Sequence, residues 1–105
     1  MKKALKLILC LFAIAMVFST FSLADEGADL FKGKCAACHG ADGKGNTGMG
    51  KALKLRDLSS ADVQKQSDAD LTNIITNGKD KMPKYDGKLT KDQINDVVKY
   101  LRTLK

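Results

Sequence analysis

Past residue 24 this chain is short of the side chains that make an interior. Leu, Ile, Val and Phe together number fifteen in the 81 residues from Asp25 to Lys105, below the ~20% at which chains struggle to form a core. A domain of that length also buries a small share of its own surface. A large enzyme fold, a multi-span membrane protein and a disulfide-dense mini-protein are all excluded. Something other than side chains must supply part of the core.

Residues 1–24 are set apart from this economy. Lys2, Lys3 and Lys6 give a basic start, and Leu7 to Phe18 is an unbroken apolar run of twelve. A run of ~10–14 is short for a bilayer span and fits the apolar region of a signal peptide. Ser22-Leu23-Ala24 supplies the small residues of a cleavage site, so a cut before Asp25 is expected. An uncleaved anchor is the competing reading. A lipid anchor at Cys10 fits less well, because Leu9 stands where a small residue is needed. The mature protein, residues 25–105, is then a single domain in the periplasm or an equivalent exported space, with no membrane span.

Removal of the leader takes Cys10 away and lowers the formal net charge from +6 to +3. Nucleic-acid binding does not fit, since there is no basic helix, no aromatic platform and the wrong compartment. Lys79, Lys81, Lys84, Lys88 and Lys91 nevertheless fall close together, diluted by Asp80 and Asp86. They form either a plain solvated loop or a docking face for an acidic partner, where charge mainly raises the association rate.

The periodicity is helical throughout. A helix is expected over 28–38, with Leu30 and Phe31 as its apolar contacts. Residues 40–50 hold five of the nine glycines and argue against regular structure. A short helical turn is expected over 52–57, and a loop with a turn at Ser60–Val63 over 58–66. Ser67 reads as an N-cap, Leu71, Ile74 and Ile75 follow at helical spacing, and Gly78 marks the stop. Residues 79–89 are a second long loop and carry the only proline, Pro83. Thr90 and Gln93 make a capping box, and Ile94, Val97, Val98, Leu101 and Leu104 share one face beyond it. No alternating strand pattern, repeat or linker appears. The expectation is an all-α domain with long loops, and loops of this length need something to pack on.

Cys35-Ala36-Ala37-Cys38-His39 answers that need. C-x-x-C-H is the attachment signature of c-type haem. On a helical turn, positions i and i+3 point the same way, so both thiols reach the two vinyl groups of one porphyrin. His39, the sole histidine, then turns its imidazole to the iron. A thioredoxin-type redox disulfide would want a βαβ setting, a zinc site would want further Cys or His ligands, and a plain structural disulfide remains open. Haem attachment alone also explains the exported location and the missing core.

With no second histidine, the other axial ligand falls to a methionine. Met49 and Met82 are the two that survive leader removal. Met82 precedes Pro83, which stiffens its segment; Met49 lies in the glycine-rich run. Met/His ligation raises the reduction potential and closes the iron to small molecules, which suits electron transfer rather than oxygen chemistry.

These residues together resemble a class I c-type cytochrome, similar to the small soluble cytochromes of bacteria and of photosynthetic electron transport. The matching pieces are Gly27, Phe31, the Cys35–His39 motif, Asn77-Gly78-Lys79, Met82-Pro83 with Tyr85, Lys88-Leu89-Thr90, Gln93-Ile94, and Val97 with Tyr100. The resemblance spans residues 27–104. It implies a small helical fold around one covalently bound haem c, with Cys35 and Cys38 as attachment points and His39 and Met82 as axial ligands. It further implies that Gly27 and Phe31 meet Val97, Tyr100 and Leu101 where the first and last helices cross. Two departures stand out. No proline lies between 40 and 82, so a backbone carbonyl near Asn46–Gly48 is expected to hold the His39 Nδ1 proton. No tryptophan is present to contact a propionate, which leaves Lys51 or Arg56 for that role. The expected function is a monomeric exported electron carrier, not an enzyme, exchanging single electrons with redox proteins in transient, partly electrostatic encounters. A haem module docked on an oxidase or dehydrogenase, and a haem sensor or peroxidase with an open iron, are the alternatives.

Overall fold

The computed structural model describes residues 23–105. The leader reading falls outside the described residues, apart from its last two positions. Six helices follow one another there: α1 (Leu23–Lys34), α2 (Ala36–His39), α3 (Gly48–Ala52), α4 (Ala61–Gln64), α5 (Asp68–Asn77) and α6 (Lys91–Leu101). Extended pairing among the described residues is confined to two isolated bridges, Lys79 with Met82 and Asp86 with Leu89. The all-α expectation holds.

The frame is the crossing of α1 and α6, with α5 against α6. Phe31 and Val97 are each 1% exposed at its centre. The helices approach closely at Gly27. A Cβ there would overlap the Asp96 carbonyl oxygen, lie 2.7 Å from the Asp96 carbonyl carbon and 3.0 Å from Tyr100 Cβ. Glycine lets the two backbones touch, as the resemblance implies. The face of α6 read from its period is buried at Ile94, Val97, Val98 and Leu101.

Local signals set the ends of α5 and α6. Ser67 Oγ accepts from Asp70 N–H at 3.0 Å and Asp70 Oδ2 accepts from Ser67 N–H at 3.4 Å. Thr90 and Gln93 do the same at 3.1 and 2.9 Å. Each pair satisfies two backbone donors that a helix start leaves orphaned. The turn expected at Ser60–Val63 is present as α4, with Ser60 as its cap. Arg102, just past α6, donates to the carbonyls of Gln64 and Gln66 and pairs with Asp68 at 2.8 Å, tying the C-terminus to the α4–α5 connection.

Four points need correction. The helix expected over 28–38 begins earlier, at Leu23, so the proposed cut before Asp25 falls within its first turn. It also breaks at Cys35. Cys35 N–H still donates to Phe31 O at 2.8 Å, but its φ of −118° departs from the regular helical value of about −63°. The N–H groups of Cys38 and His39 then share Cys35 O at 3.2 and 3.0 Å, opening a new turn. Third, the glycine-rich run is not wholly irregular. Gly48–Ala52 is helical because Thr47 caps it, accepting from Gly50 N–H at 2.8 Å. The turn expected over 52–57 is displaced into this helix, and Lys54 leaves it with φ 55°.

Candidate haem site

The three chemical groups of the C-x-x-C-H motif sit on the turn that α2 builds. Both thiols are free and half-buried. The turn is braced from the glycine-rich run: Thr47 Oγ1 donates to Cys38 O at 2.7 Å and Gly45 N–H donates to His39 O at 2.7 Å. Phe31 packs tilted beside the His39 ring at a centroid distance of 6.4 Å.

A cavity of about 580 Å³ opens beside this turn, within the range of small-molecule and cofactor pockets. Cys35, Cys38 and His39 line it together with Met82 and Pro83. Phe31, Leu71, Ile75, Val97 and Leu101 contribute its apolar wall from the frame. Leu53, Leu55 and Leu58 line it as well, and Leu58 also packs against the buried core.

Met82 is held by a two-residue turn. Lys79 N–H donates to Met82 O at 3.2 Å and Met82 N–H to Lys79 O at 2.9 Å. Gly78 ends α5 with φ 76°, and a Cβ there would lie 2.7 Å from Met82 O. A side chain at 78 would therefore push the methionine turn away. Met49, by contrast, is 53% exposed and does not line the cavity. The structure thus brings Cys35, Cys38, His39 and Met82 around one space and leaves Met49 out of it.

The donor set fits an iron porphyrin. One imidazole and one thioether face a largely apolar cavity, the ligand chemistry of an electron-transfer haem, and two thiols at i and i+3 stand at its edge. Among the described residues no three His, Cys, Asp or Glu side chains converge on a point, so the zinc reading finds no ligand set.

Known proteins resemble the chain over most of its length. The family model described as cytochrome c oxidase, cbb3-type, subunit III, matches residues 22–101. Cytochrome c6 of Nostoc sp. is 37% identical over 105 residues, covering 96% of this chain and 92% of the relative. Cytochrome c6 of Porphyra purpurea is 34% identical and covers 96% and 93%. A solved structure, the KustC0563 c-type cytochrome, superposes with a TM-score of 0.70 at 32% identity, covering 75% of this chain and 96% of that one. The chain belongs to the class I c-type cytochromes. Its two neighbouring cysteines, Cys35 and Cys38, are consistent with a covalent haem-attachment motif.

The electrostatics of this cytochrome's site follow from burial. The Cys35 thiol is pushed up to about 11, first by desolvation and then by the neighbouring Cys38. Burial also lowers the His39 pKa, which favours the neutral imidazole that binds metal. The Tyr85 hydroxyl is raised, chiefly by burial and then by the two cysteines, and stays a donor. One expectation fails: His39 Nδ1 is buried without a hydrogen-bond partner. The segment near Asn46–Gly48 sends donors to the Cys38 and His39 carbonyls instead of offering a carbonyl to the ring. Arg56 lines the cavity, as do Lys34, Lys54, Lys79 and Lys81, whereas Lys51 does not. Sequence reasoning missed Lys54, whose left-handed φ no local signal announces, and Tyr85's hydroxyl contact with Lys34.

Proposed function

We propose that this chain carries one haem c, bonded through Cys35 and Cys38, with His39 and Met82 as the axial ligands of its iron. The single observation that supports this is the cavity that collects those four side chains and excludes Met49. When bound, the haem supplies reversible one-electron chemistry between ferric and ferrous iron. The chain's own residues do the rest. Phe31, Leu71, Ile75 and Val97 exclude water from the space, as do Leu53, Leu55 and Leu58. Low polarity and thioether ligation favour the ferrous form and so raise the potential. The Gly78–Pro83 turn fixes the methionine, so little rearrangement accompanies a change of charge. Arg56 and Lys54 supply cations for the propionates.

The protein is an electron carrier rather than an enzyme, and no substrate is transformed. Exported placement follows from the leader, and no helix among the described residues is long and apolar enough to cross a membrane. Exposed Lys79, Lys81, Lys84 and Lys88 around the methionine loop suit brief encounters with acidic faces of redox partners. An optical spectrum and redox titration test the reading. The oxidised protein should show the weak near-infrared sulfur-to-iron band, and Met82→Ala should abolish it, lower the potential and admit carbon monoxide to the reduced iron. Retention of that band in Met82→Ala overturns the assignment.

A further inference from the structure

Tyr85 touches both halves of the site. Its backbone belongs to the methionine loop, three residues beyond Met82. Tyr85 N–H donates to Ile75 O at 3.0 Å and Asp86 N–H to Thr76 O at 3.1 Å, so main-chain bonds fasten this segment to α5. Gly78 N–H, on Ile74 O at 2.8 Å, closes the end of α5 itself. Neither loop tie reaches the cysteines, of which Cys35 lies between α1 and α2 and Cys38 within α2.

The Tyr85 side chain spans that gap. Its hydroxyl donates to Lys34 O at 2.8 Å, across 51 residues of sequence. Lys34 is the last residue of α1 and directly precedes Cys35. Its carbonyl is one of the four at a helix end with no partner inside the helix. The ring lines the cavity beside Met82, and Lys88 Nζ lies 5.7 Å over its face. Tyr85 O also accepts from Lys88 and Leu89 N–H, both at 2.9 Å, so the residue anchors the far end of the loop as well.

We infer that Tyr85 is a positioning residue, its hydroxyl latching the Met82 loop to the carbonyl that precedes the first haem-binding cysteine. The inference rests on the axial role proposed for Met82. Without the latch the loop is hinged on α5 alone and swings its thioether away from the cavity more often. A phenylalanine keeps the ring and its packing and removes only the tie.

Tyr85→Phe tests this in the haem-loaded protein, with Tyr100→Phe as the control. Tyr100 packs against Phe31 at 5.2 Å in the helix crossing, away from the methionine loop. One partly exposed hydrogen bond shifts an opening equilibrium about threefold. Amide exchange at Lys79 and Met82, and carbon monoxide binding to the reduced protein, should each quicken by that factor in Tyr85→Phe. Tyr100→Phe should leave both unchanged. Unchanged rates in Tyr85→Phe, or equal acceleration in both variants, overturn the inference, the second by showing a general loss of stability. Absence of the sulfur-to-iron band in the unaltered protein instead overturns the Met82 reading and the inference with it.

Discussion

The α1–α6 crossing and the cavity opposite it divide the same small set of apolar side chains in two ways. At the crossing, Phe31 and Val97 face other side chains and vanish from solvent. Gly27 removes even its Cβ so that two backbones meet. At the cavity, Leu53, Leu55, Leu58, Leu71 and Ile75 line a common space. At Gly27 the crossing is closed by polypeptide alone, while its Phe31 and Val97 also border the cavity. The cavity side is left for the flat apolar haem proposed above. A chain of this composition does not close both regions itself, and it spends its best side chains on the frame that carries the cysteines.

The largest expected effect removes that haem. Cys35→Ala with Cys38→Ala should abolish covalent haem, read as loss of haem stain on a denaturing gel. The two regions should then part company. Amide exchange should lose most of its protection over 40–58 and 79–89, and less in α1 and α6. Uniform loss of protection across both regions breaks the comparison, because it would show that the frame depends on the haem as fully as the loops do.

Gly27→Ala attacks the frame and spares the cavity. The added methyl has no room beside the Asp96 carbonyl, and overpacking of this kind costs about 2–3 kcal/mol. A denaturant titration of the haem-loaded protein should show that loss, while the sulfur-to-iron band of the surviving folded fraction stays in place. A shifted band at unchanged stability contradicts the division.

The helix caps should come next. Ser67→Ala and Thr90→Ala each remove a hydroxyl that accepts from the third helical N–H, worth about 1 kcal/mol. Thr90 caps α6 at the end remote from Val97 and Leu101 and carries no part of the methionine loop, so its loss should lower stability and leave the potential alone. Ser67 caps α5, which carries the methionine loop at its other end. Ser67→Ala should therefore also raise amide exchange at Lys79 and Met82, and equal behaviour of the two variants there erases the distinction.

The same division explains what the amino-acid sequence discloses. Caps at Ser67 and Thr90 and the stop at Gly78 are legible because each rests on residues within three or four positions. The proposed haem motif stands out because its chemistry is contiguous, and Met82, which lines the same cavity, because so few sulfurs remain. Gly27 is legible through family likeness, since nothing near it in sequence foretells Asp96. The break at Cys35 is hidden, because alanine and cysteine at 35–38 offer no stop signal. So is α3, where Thr47 overrides two glycines' reluctance to be helical by capping the turn and bonding Cys38 O. The unpartnered His39 Nδ1 and the Tyr85–Lys34 tie depend on contacts far apart in sequence, beyond the reach of spacing arguments.

Backbone strain follows the same line, and it yields the smallest effect. The two non-glycine residues with positive φ among those described are Lys54, at 55°, and Asp80, at 53°. Both line the cavity, and neither belongs to the frame. A left-handed conformation costs an ordinary residue ~1–2 kcal/mol, and glycine gives back part of the relief as lost entropy, ~0.5–1 kcal/mol. Asp80→Gly and Lys54→Gly should each stabilise the haem-loaded protein by no more than about 1 kcal/mol in a denaturant titration. Their consequences should differ at the site. Asp80 lies in the two-residue turn that presents Met82, so glycine there loosens the methionine and should speed carbon monoxide binding despite the gain in stability. Lys54 borders the cavity outside that turn, and its replacement should leave that rate alone. Stability rising while the methionine loosens would show that the strain at Asp80 holds the ligand in place rather than merely surviving beside it.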